Sequence, residues 1–263
     1  MRESAQVFEV GSSVLSNGRN ETRRFSDAIV ILPHAGGDPN PFRAIAKHIL
    51  NAQVIGAIYP GRLTEDAPGM MDIFGVAKAF ADFFEWDKFE RVTIFGHSMG
   101  GLVAHALCGE LESRNYRPHR VVISSAIPPA ANKRGDLLPT ESDGILRHII
   151  ALGGTPDELL KSAWFHDTYL PMIAADYRAV NKYAECTPPV VKSPLEVFTA
   201  DQDLSISATA IGRWSEYTTG PTSLTTFVGG HFYLFDDPAC VATHLDPNPH
   251  LTKESHVDEH LRQ

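Results

Sequence analysis

The pentapeptide Gly96-His97-Ser98-Met99-Gly100 narrows the possible folds of this 263-residue chain more than any other segment. It has the pattern G-x-S-x-G. An apolar run, Arg91-Val92-Thr93-Ile94-Phe95, leads into it, and a helix-compatible stretch from Gly101 to Cys108 follows. That order predicts a strand, a sharp turn and a helix. Glycine at 96 and 100 lets the backbone bend and lets strand and helix approach closely. The turn presents the Ser98 hydroxyl at a helix N-terminus, where orphan amides and the helix dipole favour developing negative charge. In this context the motif reads as a nucleophilic serine; the bland alternative is a glycine-rich turn with an inert serine.

A serine nucleophile needs a base, and the base needs a group that orients it. Downstream, Pro194 to Ala200 reads as a short buried strand and is followed by Asp201-Gln202-Asp203. Ser223 to Val228, rich in β-branched residues, reads as the next strand and is followed by Gly229-Gly230-His231. An acid after one strand and a histidine after the next lie at the same edge of a parallel sheet as Ser98. His231 is the expected base, with a loop histidine as the alternative. Asp203 is favoured as its partner over Asp201, although either aspartate can instead cap a helix beginning near Ser207.

A tetrahedral intermediate also needs amide donors. The residue after the nucleophile, Met99, supplies one. The second is assigned to Ala35, in the loop Pro33-His34-Ala35-Gly36-Gly37 that follows the apolar strand Ala28 to Leu32. The glycine pair permits backbone angles that aim an amide inward. His34 precedes the serine in the chain and is read as shaping this loop.

Strand-like and helix-like segments alternate through the chain, which implies a mostly parallel sheet with flanking helices. Val54 to Tyr59 and Val121 to Ser125 are further strands, and residues 6–10 are a candidate edge strand. Residues 72–86 read as a helix with Ile73, Val76, Phe80, Phe83 and Phe84 on its apolar side. The rhythm breaks over residues 130–187, where short helical segments replace strands: 145–150, 157–160 and roughly 168–184. Placed between the serine half and the acid–base half, this segment fits a helical lid. Trp164, Phe165, Tyr169, Met172 and Ile173 are its candidates for an acyl channel, against ordinary packing of the segment on the domain, which is the commoner case for any one of them. Thr155 is its candidate helix cap. The whole chain, residues 1–263, is expected to form one domain, with residues 246–263 as a polar tail. The tail histidines His250, His256 and His260 have no scaffold that marks a metal site.

Composition excludes several classes. A net charge of −9 argues against nucleic acid as a partner. No apolar stretch is long enough to span a membrane, and residues 1–9 lack a signal-peptide core. Three widely spaced cysteines, Cys108, Cys186 and Cys240, fit a reducing cytoplasm better than a disulfide framework. No cofactor or metal is expected.

Taken in order, these motifs resemble the type II thioesterases that work beside polyketide and nonribosomal peptide synthetases. The resemblance is carried by Leu32-Pro33-His34-Ala35-Gly36-Gly37, Tyr59-Pro60-Gly61-Arg62, Phe95-Gly96-His97-Ser98-Met99-Gly100 and Ser124-Ser125-Ala126-Ile127-Pro128-Pro129. It continues through Leu152-Gly153-Gly154-Thr155-Pro156, Leu170-Pro171-Met172-Ile173-Ala174-Ala175-Asp176-Tyr177 and Gly229-Gly230-His231-Phe232-Tyr233-Leu234. It implies an α/β-hydrolase fold, a triad on Ser98, Asp203 and His231, and oxyanion amides at Ala35 and Met99. It also implies hydrolysis of acyl or aminoacyl groups from the phosphopantetheine arm of carrier proteins; a monomer is the expected state. The chain departs from the family pattern at Leu63 to Ala67, which lacks a second basic residue, and at Gly101, Ala174 and Thr199. Carrier proteins are acidic, so Arg62, Lys133 and Arg134 are candidate docking residues, against a reading as solvated loop charge. An esterase or lipase acting on free esters, an acyltransferase, and a non-hydrolytic partner of a synthetase are the competing readings.

Overall fold

The computed structural model describes residues 11–15, 25–59, 62, 72–129 and 137–247. The strands are β1 (Gly11–Val14), β2 (Asp27–Leu32), β3 (Gln53–Ile58), β4 (Arg91–His97), β5 (Arg120–Ser124), β6 (Leu195–Ala200) and β7 (Thr222–Phe227). They form one sheet in the order β1-β3-β2-β4-β5-β6-β7. β1 pairs antiparallel with β3, and every other neighbouring pair is parallel. The edge strand is therefore residues 11–14; the expected position, 6–10, lies outside the described residues.

The central strands read as unbroken apolar runs because both of their faces are covered. All six residues of β2 are buried. Successive side chains point to opposite faces. Val30 and Ile94 join one core with Val103 and Leu107, while Ile31 and Phe95 join the other with Phe42 and Phe198. At the far edge, β7 is rich in threonine and serine and mostly exposed.

The helix after β3, α2 (Ile73–Phe83), starts at Asp72, whose side chain accepts from the Phe74 amide at 2.9 Å. Ile73, Val76 and Phe80 are buried as expected, whereas Phe83 is exposed, because the helix ends there and Phe84 turns extended. α3 (Met99–Ser113) follows the serine directly. A short α1 (Arg43–Ala46) packs on the opposite face.

Between β5 and β6 the chain forms α4 (Ser142–Leu152), α5 (Asp157–Leu160) and α6 (Leu170–Ala184), with no strand among the described residues. Their apolar sides form a separate cluster that includes Ile145, Ile149, Phe165, Ile173 and Tyr177. Thr155 does not cap α5: its N-cap is Pro156, with no side-chain bond. After β6, α7 (Ala208–Gly212) is capped by Ser207, which accepts from the Ala210 amide at 3.1 Å.

The last elements are α8 (Tyr233–Asp236) and α9 (Pro238–Leu245). Asp246 is not the start of a solvated tail. It is buried and accepts from the Leu50 amide at 2.8 Å and from Asn51 Nδ2 at 2.9 Å, tying the end of α9 to the segment before β3. His250, His256 and His260 lie outside the described residues.

Candidate active site

Ser98 stands between β4 and α3 with φ 55° and ψ −122°, a conformation that a non-glycine residue holds only when its surroundings impose it. Its surroundings do so. The Ser98 amide donates to the Ser124 carbonyl at 2.7 Å, and the Gly101 amide donates to the Ser98 carbonyl at 2.9 Å. A Cβ at Gly96 would meet the Gly100 carbonyl oxygen at 2.0 Å, and one at Gly100 would meet the Leu32 carbonyl oxygen at 2.0 Å. The glycines flanking the serine therefore make the turn sterically possible.

The loops after β6 and β7 bring Asp203 and His231 together. His231 Nδ1 donates to Asp203 Oδ2 at 2.9 Å, and both residues are buried. Ser205 holds the other carboxylate oxygen, with its hydroxyl at 2.5 Å and its amide at 3.1 Å. Burial works to raise the Asp203 pKa, but the hydrogen bond and charge of His231, with the Ser205 bond, outweigh it and hold the carboxyl below its ordinary value. Asp201 does other work: its Oδ1 accepts from the Gly229 amide at 3.0 Å and ties the two loops together. Ser207, not either aspartate, caps the following helix.

The remaining His231 nitrogen, Nε2, is buried and has no protein partner. Ser98 and His231 line one cavity of about 480 Å³, together with Ala35 and Met99. Met99 opens α3, so its amide belongs to the first helical turn, which has no intrahelical acceptor. Ala35 lies in a turn closed by the Gly37 amide donating to the His34 carbonyl at 2.9 Å. His34 is half-buried, packed beside Phe232 and His97 with its Nδ1 out of contact with solvent. Burial, reinforced by His231 and Arg62, lowers its pKa to about 4, so it is neutral near pH 7. His97 is likewise kept neutral by burial, and its Nδ1 bonds the Ser124 hydroxyl at 2.9 Å, which in turn pairs with the Tyr233 hydroxyl at 2.7 Å. This buried chain beneath the serine was not anticipated; a buried His beside G-x-S gives no sign of its partners.

The far wall of the cavity belongs to the helical insertion. Of the candidates for an acyl channel, Phe165, Tyr169 and Ile173 line it, with Ile149 and Tyr177. Met172 and Trp164 do not; Trp164 is 55% exposed. The segment Phe165–Tyr169 is a π-helical turn, which shifts the side-chain phase and leaves Trp164 outside while Phe165 and Tyr169 stack at 5.9 Å.

Arg62 differs from its sequence reading as a docking or solvated residue. Its guanidinium pairs with the Asp176 carboxylate, with side chains 6% and 0% exposed. Lys133 and Arg134, together with Pro60, Gly61 and residues 63–67, lie outside the described residues.

A parallel sheet carrying a strained serine at a strand–helix turn, with an acid and a histidine delivered by the next loops, defines an α/β-hydrolase. A family model described as a thioesterase domain matches residues 27–248, and the chain belongs to that family. It is 32% identical over 220 residues to the phenyloxazoline synthase MbtB of Mycobacterium tuberculosis, covering 82% of this chain but 15% of that protein. The chain thus spans only a small part of that relative. It is 30% identical over 236 residues to a probable cadicidin biosynthesis thioesterase of Streptomyces griseus, covering 88% of this chain and 63% of the relative. Among solved structures, the type II thioesterase BorB from the borrelidin biosynthetic cluster matches with a TM-score of 0.75 and 26% identity, over 89% of this chain and 95% of BorB. The resemblance to type II thioesterases read from the motifs thus extends to the structure.

Proposed function

We propose that this protein hydrolyses acyl thioesters carried on the phosphopantetheine arm of synthetase carrier proteins, through a triad of Ser98, His231 and Asp203. The observation that carries this reading is the His231 ring. One nitrogen is fixed to Asp203 at 2.9 Å, and the other is buried without a protein partner in the cavity that Ser98 also lines. An imidazole held in this way has its accepting nitrogen turned toward the reaction space.

His231 Nε2 takes the Ser98 hydroxyl proton as Oγ attacks the thioester carbonyl. The amides of Ala35 and Met99 stabilise the oxyanion, a contribution of about 3 kcal/mol per donor in comparable enzymes. The thiol leaves with the proton held by His231, and an acyl-serine remains. Water then gives a proton to His231 and attacks the acyl carbon. His231 returns that proton to Ser98 as the acid departs. Asp203 keeps the imidazole in the required tautomer and stabilises its charged form.

The cavity supports an acyl rather than an ionic substituent. Its described lining contains no carboxylate, lysine or arginine, and it is walled by Leu102, Leu138, Ile149, Phe165 and Ile173. Its volume lies within the ordinary range for a small-molecule site. The helical insertion would then serve as the lid that selects the chain.

The test is intact-protein mass spectrometry of carrier proteins loaded with acetyl, longer acyl or aminoacyl groups, run beside free thioesters and oxygen esters. Ser98-dependent deacylation of the carriers, faster than cleavage of the free substrates, is the expected result. Inert carriers with brisk cleavage of free esters would move the function to a general esterase.

A further inference from the structure

The helical insertion reaches the oxyanion loop through one buried carboxylate. Asp176, on α6, accepts from the Gly36 amide at 2.7 Å through Oδ2. Arg62 holds both oxygens of the same carboxylate, Nη1 donating to Oδ1 at 3.4 Å and Nη2 to Oδ2. The Arg62 guanidinium also lies over the Tyr59 ring at 5.5 Å, and the Tyr59 hydroxyl donates to the Pro33 carbonyl at 3.0 Å. Residues on both sides of Ala35 are thereby tied to groups outside the loop.

The turn itself explains why such a tie matters. His34 accepts from the Gly37 amide, Gly36 has φ +71°, and Ala35 is not among the residues with positive φ. That is a type II turn with Gly36 in its third position. The peptide joining Ala35 and Gly36 is the one whose rotation separates type II from type I turns. Its N–H is the group that Asp176 accepts. Rotating it would turn the Ala35 carbonyl toward a carboxylate and leave a buried amide unpaired, which is costly. Ile173, one turn before Asp176 on the same helix, fills the space beside Gly36: a Cβ there would meet Ile173 Cγ1 at 2.5 Å. Ile173 also lines the cavity.

We propose that Asp176 and Arg62 are positioning residues that lock the Ala35–Gly36 peptide and so hold the Ala35 amide in its oxyanion geometry, making catalysis depend on the seating of α6. This rests on the reading of Ala35 as an oxyanion donor. Neither residue touches the reacting atoms. Arg62 serves by fixing both carboxylate oxygens with its planar fork, and its charge opposes burial, which raises the Asp176 pKa.

The experiment uses three variants of the full chain: Asp176→Asn, Ala35→Pro and the double variant. Proline suits the second position of a type II turn, so Ala35→Pro removes the N–H while keeping the turn. Binding is measured with a carrier bearing a non-hydrolysable amide in place of the thioester, turnover with the thioester, and folding by thermal melting. Ala35→Pro should lower kcat by about 100-fold or more, the usual cost of one oxyanion donor. Asp176→Asn can keep an oxygen on the Gly36 amide only by turning its NH2 group against the Arg62 fork, and so should lower kcat by about 10-fold or more while changing amide-carrier affinity less than twofold. The double variant should be no slower than Ala35→Pro alone, because a group acting through a missing amide has nothing left to act on.

An Asp176→Asn variant with unchanged kcat overturns the lock, as does a loss of binding equal to the loss of turnover. Multiplicative losses in the double variant also overturn it, since they assign Asp176 a separate effect. Wild-type turnover in Ala35→Pro instead removes the Ala35 assignment itself, so the two failures are distinguishable. If Asp176→Asn does not fold, Arg62→Lys, which keeps the charge but not the fork, replaces it with the same expected split between kcat and binding.

Discussion

Asp203 Oδ2 accepts from His231 Nδ1 at 2.9 Å across 28 residues of chain, while Ser205 occupies the other carboxylate oxygen. With both oxygens bonded, the carboxylate cannot swing away from the imidazole. Asp201, two residues earlier, is bonded instead to the Gly229 amide at the base of the histidine loop. The two aspartates therefore divide fixing of the His231 ring from anchoring of the loop that carries it.

That division predicts unequal effects of the same change. Asp203→Asn should lower kcat about 10³- to 10⁴-fold, because the amide favours the wrong imidazole tautomer. Asp201→Asn keeps an oxygen for the Gly229 amide and should stay within a few-fold of wild type. Steady-state kinetics on one acyl-carrier substrate checks both. Comparable losses in the two variants would remove the assignment of Asp203.

The strain at Ser98 predicts a stability gain at the cost of activity. Its φ of 55° suits glycine better than serine. Ser98→Gly should raise unfolding free energy by about 1 kcal/mol, the net of about 1–3 kcal/mol of relieved strain and glycine's extra unfolded-state entropy. Turnover should be lost. Denaturant midpoints of the wild type, Ser98→Ala and Ser98→Gly test this, and no gain for glycine over alanine would mean that the turn carries no strain.

Buried neutral histidines predict a loss of stability on acidification. Burial lowers the pKa values of His34 and His105 from 6.5 to about 4. The unfolded chain thus takes up these protons first as pH falls through 6.5, and the folded state becomes less favoured until about pH 4, where it binds them too. At pH 5 each group costs on the order of 2 kcal/mol relative to pH 7.5. Urea unfolding across this range should show the decline. His105→Phe, whose ring cannot charge, should make it shallower; an unchanged slope would exclude His105 as a source.

The apolar wall predicts a chain-length series. Each methylene buried against Phe165 and Ile173 is worth about 0.8 kcal/mol, or roughly fourfold in kcat/KM, until the cavity is full. Competition between acyl carriers of increasing length reads the slope directly. A flat series would place the chain outside this cavity.

Much of this is legible in the amino-acid sequence, for a physical reason. Ser98, Met99 and His231 sit in turns whose geometry depends on neighbouring residues. Glycines at 96 and 100, and an apolar run ending at Phe95, announce a strand–helix turn wherever they occur. The buried parallel strands were equally plain, because strands covered on both faces are apolar at every position.

Other features depend on packing between distant segments. Arg62 and Asp176 are 114 residues apart, and nothing beside Arg62 distinguishes a buried pair from a solvated cation. Only the docking of α6 on the loop after β2 brings them together. Which aromatics of the helical insertion face the cavity was also hidden, since a π-helical turn resets the phase between Trp164 and Tyr169. The amino-acid sequence by itself determined the parallel sheet, the serine turn and the residues available for a triad, because those follow from local backbone preference and burial. Tertiary packing alone decided the partner of each aspartate, the bond from Gly36 to Asp176 and the wall of the cavity, because each joins groups that only the assembled fold makes neighbours.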